Sequence, residues 1–375
     1  MTNKNYKNDK EFLSKYLETV ELQSGDKRLL VTPDLQGRVL TSSANGEEGY
    51  SFGWLNYDLI SSGTVLPHCN NYGGEDRFWL GPEGGQFSIF FKGESGKGFD
   101  FEDWQAPALI DTDKWELVSA NPAKAVFTKS AVLENWSGAK LAVKLDRTVS
   151  LLGNNTVEKE LGISIPDTVS SIVFSSENVL TNAGSFEWTQ TSGMLSIWIL
   201  GQFIPSAKNT VIIPYKPSVA DAINDSYFGK IDADRLKVTG THLLFKGDGG
   251  KRGKIGTPPS MTIPMAGAYD AENGTLTIVK FNFDAGNDLY VNSMWEYQDK
   301  PFKGDVINSY NDGPLEDGSI MGPFYEIETS SPAASLKPGE SLVHTHTTMH
   351  FKGGFEQLNA IAREILGLDL KDTNF

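Results

Sequence analysis

Short runs that alternate apolar and polar residues, or that are β-branched and aromatic throughout, recur along most of the chain, each closed by Gly, Asn, Asp or Pro. Residues 28–32, 87–91, 125–128, 140–145, 171–174 and 195–200 have this form, as do 209–213, 241–245, 274–281 and 289–292. Runs of this length and composition between turn formers predict strands. Helical spacing is confined to the two ends. Phe12, Leu13, Tyr16 and Leu17 form an apolar stripe within residues 8–18, and Phe355, Leu358, Ile361, Ile365 and Leu366 form another within 354–368. The pattern predicts an all-β protein: one large antiparallel domain over residues 20–375 closed by a C-terminal helix, with residues 1–19 as an N-terminal helical extension.

Near the C-terminus, Tyr325-Glu-Ile-Glu-Thr-Ser-Ser-Pro332 precedes Leu336-Lys-Pro-Gly-Glu340 and then Ser341-Leu-Val-His-Thr-His-Thr-Thr-Met-His350. Two strands joined through a Pro-Gly turn predict a hairpin. Period-two alternation puts Glu326 and Glu328 on one face, and His344, His346 and His350 on one face of the partner. If those faces coincide, carboxylates sit beside imidazoles, an arrangement suited to general acid–base work. Two His with one Glu also resemble a metal site, which ranks below acid–base use, so no metal or other cofactor is expected.

Residues 67–91 mix charge, amides, aromatic rings and five glycines in a run too polar for a core and too aromatic for a plain loop. Asn71, Glu75 and Arg77 offer in-plane donors and acceptors for vicinal hydroxyls, and Trp79 a flat apolar face for C–H surfaces. Farther on, Trp295 and Tyr310 stand beside acids or amides. Each has a plainer reading: Arg77 as an ion pair with Glu75 or Asp76, Trp295 as core, Asn311 to Pro314 as a turn, and the histidines as polar residues on a solvent-facing sheet.

Composition narrows the partners. The formal net charge of −15 disfavours nucleic acid and anionic membrane surfaces. The one dense basic stretch, residues 246–254, is glycine-laced and reads first as a solvated turn, with Lys251, Arg252 and Lys254 available to an acidic ligand. One cysteine, Cys69, excludes an intrachain disulfide. No apolar run is long enough to span a membrane, and the polar start has no signal-peptide core. That fits a cytoplasmic protein as written, or a periplasmic or exported one whose leader is absent from this sequence.

Five motifs carry a family resemblance: Leu30-Val-Thr-Pro-Asp-Leu-Gln-Gly-Arg38, Asn70-Asn-Tyr-Gly-Gly-Glu-Asp-Arg77, Trp79-Leu-Gly-Pro-Glu83, Glu326-x-Glu328-Thr-x-Ser-Pro332 and Leu336-Lys-Pro-Gly-Glu340. With them the chain resembles the galactose mutarotase-like (aldose 1-epimerase-like) superfamily, and within it bacterial members without an assigned role. The resemblance implies a large antiparallel β-supersandwich with a concave sugar-binding cleft. It implies sugar-binding roles for Asn71 and Arg77, and a catalytic base at Glu328, with Glu326 next. Where the epimerases carry a His followed four residues later by Asn, this chain has Asn178 and Asn182. An amide cannot protonate a ring oxygen, so the acid must come from elsewhere, with His68 favoured and His346 second. The implied function is a carbohydrate-active protein for a small-molecule or oligosaccharide ligand, acting as an epimerase, glycoside hydrolase or lyase with a Glu general base. The alternative is a non-catalytic carbohydrate-binding module that has lost the catalytic His.

Overall fold

The computed structural model describes residues 5–93, 98–218, 221–315 and 317–374. In chain order the elements are α1 (Tyr6–Leu13), β1 (Val20–Ser24), β2 (Lys27–Thr32), β3 (Arg38–Ser43), α2 (Tyr57–Ser62), β4 (Arg77–Gly81), α3 (Ala108–Asp111), β5 (Glu116–Asn121), β6 (Lys124–Glu134), β7 (Lys140–Leu152), α4 (Asn154–Leu161), β8 (Ser170–Asn182) and β9 (Ser196–Phe203). They continue with β10 (Asn209–Pro214), β11 (Leu236–Val238), β12 (His242–Lys246), β13 (Gly253–Thr257), β14 (Met265–Asp270), β15 (Thr275–Phe281), β16 (Ile307–Asn311), β17 (Tyr325–Ser330), β18 (Ser341–Lys352) and α5 (Phe355–Ile365). The strands build a three-stranded sheet β1-β2-β3, a ten-stranded sheet β11-β12-β10-β14-β15-β18-β8-β7-β6-β5 and a five-stranded sheet β13-β16-β17-β9-β4. The ladders are antiparallel throughout, as the alternation predicts.

Apolar burial explains the layering. From the five-stranded sheet, Ile197 and Ile199 pack with Phe127, Leu145 and Phe174 of the ten-stranded sheet, and Ile255, Ile307 and Ile327 with its Val211, Ile213 and Val279. The opposite face of the large sheet is closed by α4 and by α5, whose Leu358, Ile361 and Ala362 pack on Leu276, Ile278 and Phe351. The C-terminal stripe therefore does what its periodicity predicts. The N-terminal helix is shorter than its stripe: it ends at Leu13, after which Tyr16 N–H returns to the Leu13 carbonyl at 3.0 Å, while Phe12 and Leu17 pack beside Leu30 and Leu40.

Three expectations are corrected. Residues 87–91 are a buried turn, because the Ser88 hydroxyl accepts from the amides of Phe90 and Phe91 at 3.0 and 3.3 Å and satisfies the donors a ladder would use. Residues 289–292 make a single bridge, Tyr290 to Lys303, rather than a strand. The C-terminal hairpin does not form. Both edges of β17 are taken by β16 and β9, so the chain crosses to the other layer and β18 enters the ten-stranded sheet between β8 and β15. The Pro-Gly turn exists, with Glu340 N–H on the Lys337 carbonyl at 2.9 Å, but it turns the chain between layers.

Candidate functional site

Alternation in the five-stranded sheet sorts its residues onto two faces. Register places Arg77 opposite Leu200, Glu328 and Asn308, Trp79 opposite Trp198, and Gln202 opposite Glu326, Tyr310 and Lys254. Directly opposed residues share a face, so Arg77, Trp79, Trp198, Gln202, Glu326, Glu328, Asn308, Tyr310 and Lys254 all point away from the large sheet. The segments around Phe90, Trp104 and Trp295 cover part of this polar face.

Two ion pairs organise it. Arg77 Nη2 donates to Glu326 Oε1 at 2.5 Å, and Asn71 Oδ1 accepts from Arg77 at 3.5 Å and from Gln202 at 3.3 Å. One register step away, Glu328 Oε2 accepts from Lys254 Nζ at 2.9 Å and from the Trp198 indole at 3.0 Å. The Lys254 ammonium lies 4.8 Å from the Trp198 ring centre and 5.5 Å from that of Tyr227. Tyr227 bonds to Asp305 at 2.5 Å and accepts from Asn308 at 3.2 Å. Trp79 meets Trp198 edge to face at 5.6 Å, and an aromatic series runs on through Phe90, Trp104 and Trp295.

Burial dominates the electrostatics. It pushes the Glu83 carboxyl up to about 7 against the pull of Lys254, with the Glu328 charge adding to the rise. Asp305 is pushed up to about 6 by the same cause, opposed by hydrogen bonds from Tyr227 and Asn224. Burial raises Glu326, Arg77 opposes it, and Glu328 adds a smaller rise. Burial alone would depress Lys254, but Glu328 and Glu83 outweigh it and hold the ammonium above its ordinary value. The face thus combines a lysine-paired carboxylate with carboxylic acids that exchange protons near neutrality, the separation of roles that acid–base chemistry needs.

Several buried polar atoms here have no hydrogen-bond partner among the described residues: Arg77 Nε, Trp79 Nε1, Gln202 Oε1, Glu328 Oε1, Trp104 Nε1 and Arg252 Nε. Orphans of this kind are costly and need a cause. A cavity of about 210 Å³ adjoins the group, lined by Asn224, Tyr227, Asn292, Met294, Lys303 and Asp305 among others.

The remaining candidates lie elsewhere. His344, His346 and His350 face the space between the sheets, on the far side of β17 from Glu328; Thr329 Oγ1 meets His344 Nε2 and His346 Nδ1, each at 2.9 Å. Burial depresses His344 to about 3 and His346 to about 4, so both are neutral. The expected juxtaposition of these imidazoles with Glu326 and Glu328 therefore does not occur. Asn178 is also internal, accepting from Arg147 at 2.6 Å, and Glu75 pairs with His350 at 2.8 Å and Ser42 at 2.9 Å. His68 sits in the cover with Nδ1 2.6 Å from the Trp104 carbonyl and its ring 4.5 Å from Phe101. Trp295 stacks on Trp104 at 5.7 Å and supports the Glu83 carboxylate, while Tyr310 donates to Asp312 at 2.7 Å. Sequence reasoning missed Glu83, Trp198, Tyr227, Asp305 and Asn308 as site residues, and named Lys254 only as a cation available to an acidic ligand. Alternation along β9 and β13 marks Trp198 and Lys254; Tyr227 and Asp305 lie in loops that carry no periodic signal. Among the described residues, no group of three or more His, Cys, Asp or Glu is arranged to hold a metal ion, and no helix is long and apolar enough to cross a membrane.

The layered antiparallel sheets closed by a C-terminal helix are those of galactose mutarotase-like proteins. The Slr1438 protein from Synechocystis sp. PCC 6803 superposes with a TM-score of 0.53 at 13% identity, over 90% of this chain and 96% of that one. A galactose mutarotase-like protein from Lactobacillus casei ATCC 334 does so at 0.50 and 10% identity, over 89% and 99%. At such identities the likeness establishes the fold. Residues 4–375 match the model of the Family of unknown function (DUF6786), and the chain belongs to that family. No curated protein matches it.

Proposed function

We propose that the chain is a carbohydrate-active enzyme that takes one sugar unit against the polar face of the five-stranded sheet and works on it by general acid–base catalysis. Glu328, held by Lys254 and Trp198, is the base. Glu83 is the acid, protonated up to about pH 7 because burial raises it. The observation that carries the reading is the lysine-paired Glu328 with an unpartnered Oε1 beside a half-buried carboxylic acid. Trp79 and Trp198 supply the apolar wall, and Arg77 with Asn71 the hydroxyl contacts. The missing His of the epimerase pattern is then no obstacle, since a carboxylic acid near neutrality donates the proton that Asn178 cannot.

A second reading, a non-catalytic sugar-binding module, is favoured by the complete burial of Glu328 and its two existing partners. One-dimensional proton NMR of neutral and acidic sugars with the wild type and Glu328→Gln separates the two. Anomeric exchange or new product peaks that vanish in the variant support the enzyme. Line broadening without turnover, alike in both proteins, supports the binding module, and no effect on any sugar overturns both.

A further inference from the structure

The connection from β12 to β13 is rich in cations, and all but one of them are matched. Lys246 lies 3.9 Å from Asp234, Lys251 pairs with Asp232, and Lys254 pairs with Glu328 at 2.9 Å. Arg235, which packs against this connection, pairs with Asp248. Arg252 alone has no carboxylate within ion-pair distance among the described residues, and its Nε is buried without a hydrogen-bond partner. Its guanidinium is held by a ring instead, 3.9 Å from the centre of Phe228, so the side chain is placed by stacking with its donors uncommitted.

The position of Arg252 connects it to the sugar face. It stands two residues before Lys254, just ahead of the first residue of β13. Phe228 packs 5.9 Å from Tyr310, and the adjacent Tyr227 lines the larger cavity. The charge of Arg252 is felt at Glu83, Tyr310 and Asp312. Beside it lies a crevice of about 50 Å³ lined by Phe228, Lys230, Arg235, Lys251 and Arg252 among others. That volume holds a group little larger than a water molecule, whose share of liquid is about 30 Å³.

We propose that the ligand of this site is a sugar acid, and that Arg252, stacked on Phe228, binds its carboxylate in the crevice while the sugar ring lies on the polar face of the five-stranded sheet. The inference rests on the sugar reading above and adds the substrate class. A single uncommitted cation balances a single negative charge, which selects a carboxylate over a phosphate dianion. The surrounding acids strengthen the choice, since a second negative charge would be opposed by Glu83 and Asp312, on which the Arg252 charge already acts. With a net charge of −15 on the chain, an anion is drawn in by this local cation and not by the overall field.

The test is calorimetric titration with matched pairs, glucose against glucuronate and galactose against galacturonate, with glucose 6-phosphate as a further arm, using wild type, Arg252→Gln and Arg252→Lys. The expected result is a preference of about tenfold or more for at least one uronate over its neutral partner, the scale of one charge-assisted bidentate contact. It should weaken with added salt, vanish in Arg252→Gln and survive partly in Arg252→Lys, with neutral-sugar affinity unchanged. Neutral sugars that bind as well as uronates, or a preference that survives Arg252→Gln, overturn the proposal and leave the sugar reading standing. An Arg252-dependent preference for the phosphate over the uronates overturns the choice of carboxylate. Absence of binding by any sugar overturns the sugar reading and this inference with it.

Discussion

Asp76 and Arg77 are adjacent in the chain, yet their side chains belong to two different kinds of charged cluster. Asp76 points between the sheets, where Arg147 Nη2 meets Oδ1 at 2.6 Å and the Ser176 hydroxyl meets Oδ2 at 2.7 Å. Arg147 also donates through Nη1 to Asn178 and through Nε to the Gly37 carbonyl at 3.1 Å. Every nitrogen of the guanidinium and both carboxylate oxygens are engaged. On the other side of β4, the group around Arg77 and Lys254 leaves Arg77 Nε, Gln202 Oε1 and Glu328 Oε1 unpartnered, and raises the carboxyls of Glu83 and Glu326. Burial is similar in the two clusters; completeness of pairing is not. A complete cluster holds layers together, whereas an incomplete one keeps donors and acceptors for something else. Unpartnered atoms also occur between the layers, at His344 Nδ1, His346 Nε2 and Glu75 Oε1, and exposure does not separate them from Glu328 and Gln202, which are likewise 0% exposed; the raised carboxyls of Glu83 and Glu326 do.

The largest effect should come from breaking the complete cluster. Asp76→Asn leaves the Arg147 charge buried and unmatched, which costs about 3–5 kcal/mol and appears as a lower midpoint in denaturant unfolding. On the incomplete face, Glu83→Gln should lower turnover about a hundredfold, the lower end of what a general acid contributes. Wild-type activity should fall as the pH rises through about 7, where Glu83 loses its proton, and that descending limb should be missing from the Glu83→Gln profile. The sign for stability follows the same proton. A carboxyl raised in the folded state stabilises fully below its unfolded value and loses that contribution as the pH passes about 7, so Glu83→Gln gains on the wild type at pH 8. Thr329→Val removes the partner shared by His344 and His346 and should cost about 1–3 kcal/mol, read by thermal unfolding, with sugar binding unchanged. For the histidines themselves the shift runs downward, so stability present above about pH 6.5 should be lost as the pH falls towards 4, visible as a declining melting temperature.

Much of the fold is legible in the chain, because alternation is strong in β6, β7, β8, β15 and β18, and α5 carries an unbroken stripe. What alternation lacks is the partner of a strand. Glu326 and Glu328 do share a face, as do His344 and His346, but a Pro-Gly turn looks the same whether it closes a hairpin or carries the chain between layers. That ambiguity put carboxylates beside imidazoles that lie across β17 from them. In the site, Asn71, Arg77, Trp79, Glu326, Glu328 and Tyr310 are brought onto or beside one face, while Glu75, Asn178 and His346 are not. Glu75 is a particular lesson: two residues from Arg77 it would share its face in a regular strand, but β4 begins only at Arg77, and Glu75 turns inward to His350. Lys254 is legible only as a cation available to an acidic ligand, because its glycine-laced basic stretch reads first as a turn although its last residues open β13.

The contrast between the clusters is tested most directly by thermal unfolding of the wild type, Glu83→Gln and Asp76→Asn side by side at pH 8. If the incomplete face serves chemistry and the complete cluster serves the fold, Glu83→Gln melts no lower than the wild type while Asp76→Asn melts several degrees lower. Loss of stability in Glu83→Gln as large as in Asp76→Asn would make the carboxyls of the polar face structural and contradict the account.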